Sequence, residues 1–459
     1  MNEKHTPRFL VAAASSGSGK TLITCGILQV LKNRGLQVAS FKCGPDYIDP
    51  MFHSRVIGTK SRNLDTFFAD TDTVRYLLKK NAADCDIAVL EGVMGYYDGL
   101  AGTSEKASTY DVASGTGTPV VFLVNCKGMS LSVVPFLKGF LEYRKDSGIR
   151  GVILNQVSPM MYPRMKKMIE EELPVRVYGY VPVVRDCVLE SRHLGLVMPD
   201  EIDGLREKLQ KLAGILKDTL DVDGLLELAE SSVPLTSSVQ TAQMISVSQK
   251  IRIGVARDEA FCFFYEDNLE FLQEMGAELV YFSPIHDSRL PEHLDGLLLH
   301  GGYPELYAGQ LSNNLSMRNS IRLALENGMP HMAECGGFMY LHEQMEDMDG
   351  HFWPMVGTVP GTVYRTDHLH RFGYITLQEG TCFGQETPPI PAHEFHYFDS
   401  ENCGEDYLAQ KPNSKRSWRC IHSDERRMVG FPHLYYYGCK AIPEAFLRAA
   451  ARYGRKEIL

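Results

Sequence analysis

The sequence predicts an α/β protein made of two successive open sheets with mostly parallel strands. Three observations carry this. Short, almost uninterrupted apolar runs alternate with helical stripes, a Ser/Thr-rich stretch without charge divides the chain, and the same alternation begins again beyond it. In the first half Arg8–Ala13, Leu36–Phe41, Ile87–Leu90, Val120–Val124 and Val152–Leu154 read as strands buried on both faces, as a parallel sheet requires. Ile23, Ile27, Val30 and Leu31 recur at helical spacing and stop at Gly35, a suitable C-terminal cap. A later helical stripe runs through Ile202, Leu205, Leu209, Leu212 and Leu216. From Ser231 to Gln249 no residue is charged, so 231–249 reads as a linker between domains at 1–230 and 250–446. The second domain opens with strand Ile251–Ala256, a helical region to Met275, and strands Glu278–Phe282 and Leu297–Leu299.

The bulk numbers narrow the function. A chain of 459 residues exceeds one ordinary core, and 44% hydrophobic with 23% charged residues is the balance of a globular protein. A net charge of −10 argues against a general nucleic-acid binder and obliges any polyanionic substrate to find a local basic pocket. None of the eleven cysteines falls in a Cys-x-x-Cys pair, which argues against a disulfide framework or a zinc ribbon and points to a reducing, cytoplasmic setting. Phe9–Ala14 is as apolar as a short signal-peptide core, but it leads straight into Gly17-Ser18-Gly19-Lys20-Thr21 and reads as a strand. No apolar run approaches the ~18 residues that span a bilayer.

Strand Arg8–Ala13, the loop from Ala14 to Lys20-Thr21 and a following helix are the context of a phosphate-binding loop. The backbone N–H groups around Gly17, Ser18 and Gly19 would cradle ATP phosphates, Lys20 neutralise the β/γ charge and Thr21 give an oxygen to Mg²⁺. Ala14 stands where the consensus has its first Gly. Two acidic motifs follow strands at the ends where ligands gather: Gly44-Pro45-Asp46-Tyr47-Ile48-Asp49 and Glu91-Gly92-Val93-Met94-Gly95. Asp46 and Glu91 are the candidate metal acids. Asp49, Asp98 and Tyr96-Tyr97 read as loop residues over the same face, and Asn155 as a residue reaching toward adenine.

In the second half, His331-Met332-Ala333-Glu334-Cys335-Gly336-Gly337 reads as strand, tight turn and helix, the form of a nucleophile elbow. A helix N-terminus there would lower the thiol pKa. Upstream, His300-Gly301-Gly302-Tyr303-Pro304-Glu305 ends a strand, and the N–H groups of Gly302 and Gly336 are candidates for an oxyanion hole. His433 is the candidate base for Cys335, in acyl transfer through a thioester. His393 and His396 have metal-like spacing but no second ligand pair, so hydrogen bonding or substrate contact is preferred.

The phosphate loop, Gly-Pro-Asp-Tyr, Glu-Gly-Val-Met-Gly, Arg192-His193-Leu194-Gly195-Leu196, Gly-Gly-Tyr-Pro-Glu, Ala-Glu-Cys-Gly-Gly and His-Glu-Phe-His-Tyr occur in this order. Together they resemble the cobyrinate a,c-diamide synthase family over nearly the whole chain. The resemblance implies an N-terminal P-loop, dethiobiotin-synthetase-like parallel-sheet domain and a C-terminal class I glutamine amidotransferase domain of flavodoxin-like form. It implies an amide ligase of cobalamin biosynthesis, with ATP and L-glutamine as substrates and Mg²⁺ as cofactor. The partner expected is a corrinoid polycarboxylate, with no nucleic acid or membrane, and a homo-oligomer left open. By motif position Lys20 and Thr21 match the phosphate loop, Asp46 and Glu91 the metal acids, Tyr47, Asp49 and Asp98 substrate handling, Cys335 the nucleophile and His433 its base. Broader class I triads carry Glu two residues after the His, and here that position is Tyr435. Hydrogenobyrinate and Ni-sirohydrochlorin are alternative substrates. A partition-type regulatory ATPase is a distant alternative, opposed by Ser15 where that branch has a signature Lys.

Overall fold

The computed structural model describes residues 5–184, 187, 191–192, 195–196, 204–239, 244–245, 250–369 and 371–455; residues 193–194 of the Arg-His-Leu-Gly-Leu motif, position 202 of the helical stripe and most of 240–249 lie outside them. The chain divides into two compact units, Met1–Val239 and Gln240–Leu459.

The first unit is built on seven parallel strands: β1 (Arg8–Ala13), β2 (Val38–Cys43), β3 (Lys60–Leu64), β4 (Ile87–Glu91), β5 (Val120–Asn125), β6 (Ile149–Asn155) and β7 (Arg176–Val181). They lie in the order β3-β2-β4-β1-β5-β6-β7. The central strand β1 is buried at every position. The apolar pattern misses β3 and β7 because edge strands have one free side and tolerate residues such as Lys60 and Arg176. It also stops short at strand ends, since Lys42, Glu91, Asn125 and Asn155 are polar yet still paired in the ladder. Those polar strand ends carry the functional residues.

Helix α1 (Lys20–Asn33) follows the phosphate loop, and α2 (Leu205–Thr219) lays Leu212 and Leu216 over its Gly26. The stretch read as a linker begins as a strap on this unit. Buried Arg8 donates to Val233 O at 2.7 Å and Ser232 Oγ at 3.2 Å, and also to Thr6, Thr116 and Thr118 oxygens. Ser238 donates to Asp72. Burial lowers the Arg8 pKa to about 10, so it stays charged and fully supplied with acceptors at neutral pH.

The second unit has β8 (Ile251–Ala256), β9 (Ala277–Phe282), β10 (Gly296–Leu299), β11 (His331–Glu334), β12 (His422–Ser423) and β13 (Arg427–Gly430), in the order β9-β8-β10-β11-β13-β12. All neighbours pair parallel except β12 with β13. Helix α3 (Gly336–Leu341) follows β11, and the last described helix, Ala441–Tyr453, continues past residue 446. Between α3 and β12 the chain makes strands of three further sheets, of four, five and two strands. The five-stranded sheet contains Ile390–His396 beside His433–Leu434. Sequence periodicity gives no sign of these sheets: strands such as Phe352–Pro354 and His433–Leu434 are too short to show a period, and Val359–Arg365 is half exposed. No described helix is long and apolar enough to cross a membrane, and all eleven cysteines are free thiols.

Candidate functional site

Two sites form, one at the carboxyl ends of each parallel sheet. In the first unit the loop after β1 turns at Gly17 and Gly19, with φ of 74° and 89°. A side chain on Gly19 would be strained by that backbone and would press on the Asn155 amide at 3.0 Å. No side chain caps α1, so its first N–H groups are left to face the loop, the arrangement that binds phosphate. Ser18 Oγ donates to Ser15 O at 2.9 Å, and Asn155 Nδ2 donates to Ser18 O at 3.0 Å. Asn155 therefore braces the loop.

Lys20 is buried and donates to Ser15 O at 2.9 Å and Met94 O at 2.6 Å. Burial first, then Lys42, lower its pKa to about 8. The ammonium is thus charged at neutral pH but poorly solvated, and an anionic occupant of the loop would relieve it. Asp98, exposed beyond β4, accepts from Gly95 N at 3.0 Å and lies within electrostatic reach of Lys20.

Thr21 Oγ1 donates to Glu91 Oε1 at 2.6 Å and to Asp49 Oδ2 at 3.2 Å. Glu91 ends β4, and the register that pairs it with Lys42 on β2 brings Lys42 Nζ to 2.8 Å from Glu91 Oε1 and into contact with Asp49. His53 Nε2 lies 3.0 Å from the other Glu91 oxygen. Burial alone would raise the Glu91 pKa, but Lys42 and His53 hold it well below the usual carboxylate range. Burial would likewise lower Lys42, yet Asp49 and Glu91 keep it raised and protonated. Asp46 spends Oδ1 on the N–H groups of Ile48 and Asp49, both at 2.9 Å, at the start of helix Ile48–Met51. The hydroxyl and two carboxylates around Thr21 are thus Thr21, Glu91 and Asp49, with Asp46 capping the turn beside them. Tyr47 is half-buried at the same turn. Sequence reading passed over Lys42 and His53, since a strand lysine and a helix histidine carry no motif of their own.

Tyr96 and Tyr97 are not loop polars. Their rings pack with Tyr110, Phe122 and Phe140, and their hydroxyls donate to Ser147 O and Phe140 O.

In the second unit Cys335 sits between β11 and α3 with φ 45° and ψ −105°, a strained backbone for a residue with a Cβ. Its N–H donates to Gly430 O at 2.8 Å. The flanking glycines answer to close approach: a Cβ on Gly337 would lie 2.1 Å from Leu299 O. One on Gly336 would lie 3.0 Å from Gly302 N, which puts the two oxyanion-hole candidates side by side. A Cβ on Gly301 would lie 2.5 Å from His433 Cε1 and 3.5 Å from Cys335 Cβ, so the two side chains approach the same point.

The thiol does not have the lowered pKa expected of a helix N-terminus. Burial, and then the charge of Glu305, push it well above its ordinary value, against which the Gly336 N–H works only partly. The helix is six residues long, and its field does not offset the desolvation. Burial therefore favours the neutral thiol of Cys335. Glu305 itself is buried, and that burial raises its pKa to about 7.

His433 is held by neighbours that sequence reasoning did not identify. It pairs across the ladder with His393, and the two rings stack at 4.9 Å and 21°. This is the role of the His-Glu-Phe-His-Tyr motif seen here; His396 stacks instead on Phe431, at 4.0 Å. Asn268 donates to Leu434 O and accepts from Tyr436 N, each at 2.8 Å, clamping the segment after His433. Burial, and then His433, lower the His300 pKa to about 3 and the His393 pKa well below its ordinary value, so both flanking imidazoles are neutral. Tyr435 turns away: its hydroxyl donates to buried Asp267 Oδ2 at 3.0 Å. Tyr435→Phe should accordingly lower stability by about 1–3 kcal/mol, the cost of depriving a buried group of a partner. Chemical denaturation checks that loss, and glutamine hydrolysis should change little.

The CobQ/CobB/MinD/ParA nucleotide binding domain matches residues 9–195, and the CobB/CobQ-like glutamine amidotransferase domain matches residues 252–429. The chain is similar to the cobyrinate a,c-diamide synthase of Caldanaerobacter subterraneus subsp. tengcongensis, 38% identical over 454 residues, covering 98% of this chain and 99% of that one. It is also similar to the enzyme of that name from Listeria innocua, 39% identical over 443 residues, covering 95% and 97%. The corresponding Thermoplasma volcanium enzyme is 36% identical over 457 residues, covering 98% of each. With both domains matched and relatives of this identity aligned from end to end, the chain belongs to the cobyrinate a,c-diamide synthase family.

Proposed function

We propose that the protein amidates the a and c carboxylates of cobyrinate, using ATP to activate each carboxylate and glutamine to supply nitrogen. The observation that carries this reading is the presence, in one chain of that family, of a phosphate loop with its oxygen set and of a Cys–His pair at a nucleophile elbow. A carboxylate is a poor electrophile. Transfer of the γ-phosphoryl group of ATP to its oxygen gives an acyl phosphate and ADP; ammonia then attacks the acyl carbon and phosphate leaves. In this reading the loop N–H groups and Lys20 position and neutralise the phosphates. The oxygens of Thr21, Glu91 and Asp49, with Asp46 at the adjoining turn, are of the kind a hard divalent cation takes. These residues would hold Mg²⁺, which supplies charge neutralisation at the phosphates. In this reading Tyr47, Asp49 and Asp98 would meet the macrocycle carboxylate.

Nitrogen comes from the second site. His433 takes the Cys335 proton, the sulfur attacks the glutamine amide carbon, and the N–H groups of Gly302 and Gly336 receive the developing oxyanion. The proton passes to the leaving nitrogen, ammonia departs, and water hydrolyses the thioester to glutamate.

Mass spectrometry of cobyrinate incubated with the protein, ATP, Mg²⁺ and glutamine tests the reading: two successive exchanges of OH for NH₂ are expected, and an unaltered macrocycle would refute it. Parallel incubation with hydrogenobyrinate sets the preference for cobalt. In the same assay Glu91→Gln should raise the Mg²⁺ concentration needed for turnover while glutamine hydrolysis persists.

A further inference from the structure

We propose that Glu334, the residue before the nucleophile, is the positioning residue of His433: it accepts the Nδ1 proton and leaves Nε2 as the base. The proposal rests on the reading of Cys335 and His433 as nucleophile and base. A neutral thiol needs a neutral imidazole, and a neutral imidazole works as a base only in the tautomer that directs a lone pair to the sulfur. Position 435, two residues on, holds a tyrosine whose hydroxyl is committed to Asp267. His393 meets the His433 ring face to face and not at its edge.

Glu334 Oε2, by contrast, lies 3.6 Å from His433 Nδ1, with both side chains buried. The other Glu334 oxygen is buried without a hydrogen-bond partner. A buried carboxylate short of partners is costly, and a charge-assisted bond from an imidazole N–H offsets that cost. The fold delivers the pair. Glu334 is the last residue of β11 and pairs with Gly430 on β13, three residues before His433. The separation is longer than the ~3 Å of a formed bond, as catalytic hydrogen bonds commonly are before substrate tightens them.

Other titratable groups face this site. His300 and His393 flank His433, while Glu305 and Glu394 act on Cys335 from the helix at Pro304–Tyr307 and the strand Ile390–His396. All four remain in a Glu334 variant, so a change on substitution reports Glu334.

Glu334→Gln should reduce kcat for glutamine hydrolysis on the order of 10²-fold or more, as loss of an orienting carboxylate does, with KM for glutamine little changed. Glu334→Asp should restore part of kcat. An undiminished kcat would overturn the proposal. The unsubstituted full chain gives an independent answer through ¹⁵N-histidine NMR at neutral pH, with the His433 signals assigned by their absence in His433→Asn. The Nδ1–H tautomer is expected, and an Nε2–H tautomer overturns the proposal even if Glu334→Gln fails to fold. Loss of hydrolysis in Cys335→Ala with normal Glu334→Gln would remove only this inference. Undiminished hydrolysis in Cys335→Ala would remove the underlying reading.

Discussion

Lys20→Ala is expected to abolish amide formation whether nitrogen is supplied as glutamine or as ammonium. The carboxylate would never be activated, so the nitrogen source would not matter. In the proposed reading Lys20 meets the β/γ-phosphates, and in the structure its ammonium donates to two carbonyl oxygens, Ser15 O and Met94 O. Losing one such contact to a developing phosphoryl charge costs several kcal/mol, or ~10²-fold or more in rate. The fold should survive, because the pocket already disfavours this charge by burial and by Lys42. Glutamine hydrolysis at Cys335 should persist and serves as the internal control. The measurement is amide product by mass spectrometry with each nitrogen source. Near-normal product from ammonium would contradict the role of Lys20.

Cys335→Ala should have the complementary effect. Glutamine-driven synthesis should fall by ~10³-fold or more, since a thioester cannot form without the sulfur. Synthesis from high ammonium should be largely retained. Alanine adds no strain at φ 45° beyond what cysteine already bears, and a buried neutral thiol loses little on truncation. His433→Asn should follow the same pattern, with hydrolysis reduced by ~10²–10⁴-fold, the range for a general base. Equal loss with both nitrogen sources in either variant would sink the division of labour between the two sites.

Much of this protein is legible in its sequence, because the information is local. A phosphate loop is consecutive residues whose glycines permit one backbone path, and a nucleophile elbow is a strand, a cysteine and two glycines in a row. The central strands β1, β4 and β5 announce themselves since both faces of a parallel sheet are buried. Edge strands β3 and β7 do not, because half of each is free to be polar. The strand ends Lys42, Glu91 and Asn155 fell outside the apolar pattern although the ladder continues through them.

By itself the sequence determined which chemistry the chain carries: Lys20 and Thr21 on one loop, Cys335 on one elbow, and a family likeness spread over both halves. Only the tertiary structure decided how these groups are charged and aimed. Sheet register set Lys42 against Glu91 and left Asp49, not Asp46, on Thr21. Burial, which no spacing encodes, made the Cys335 thiol neutral where a helix terminus alone would have favoured the thiolate. The surroundings of His433 come from residues far apart in the chain: His393 across a ladder, Asn268 from a helix and Glu334 from a neighbouring strand. The physical reason is that charge state and orientation are sums over everything within a few ångströms, and folding decides which residues those are.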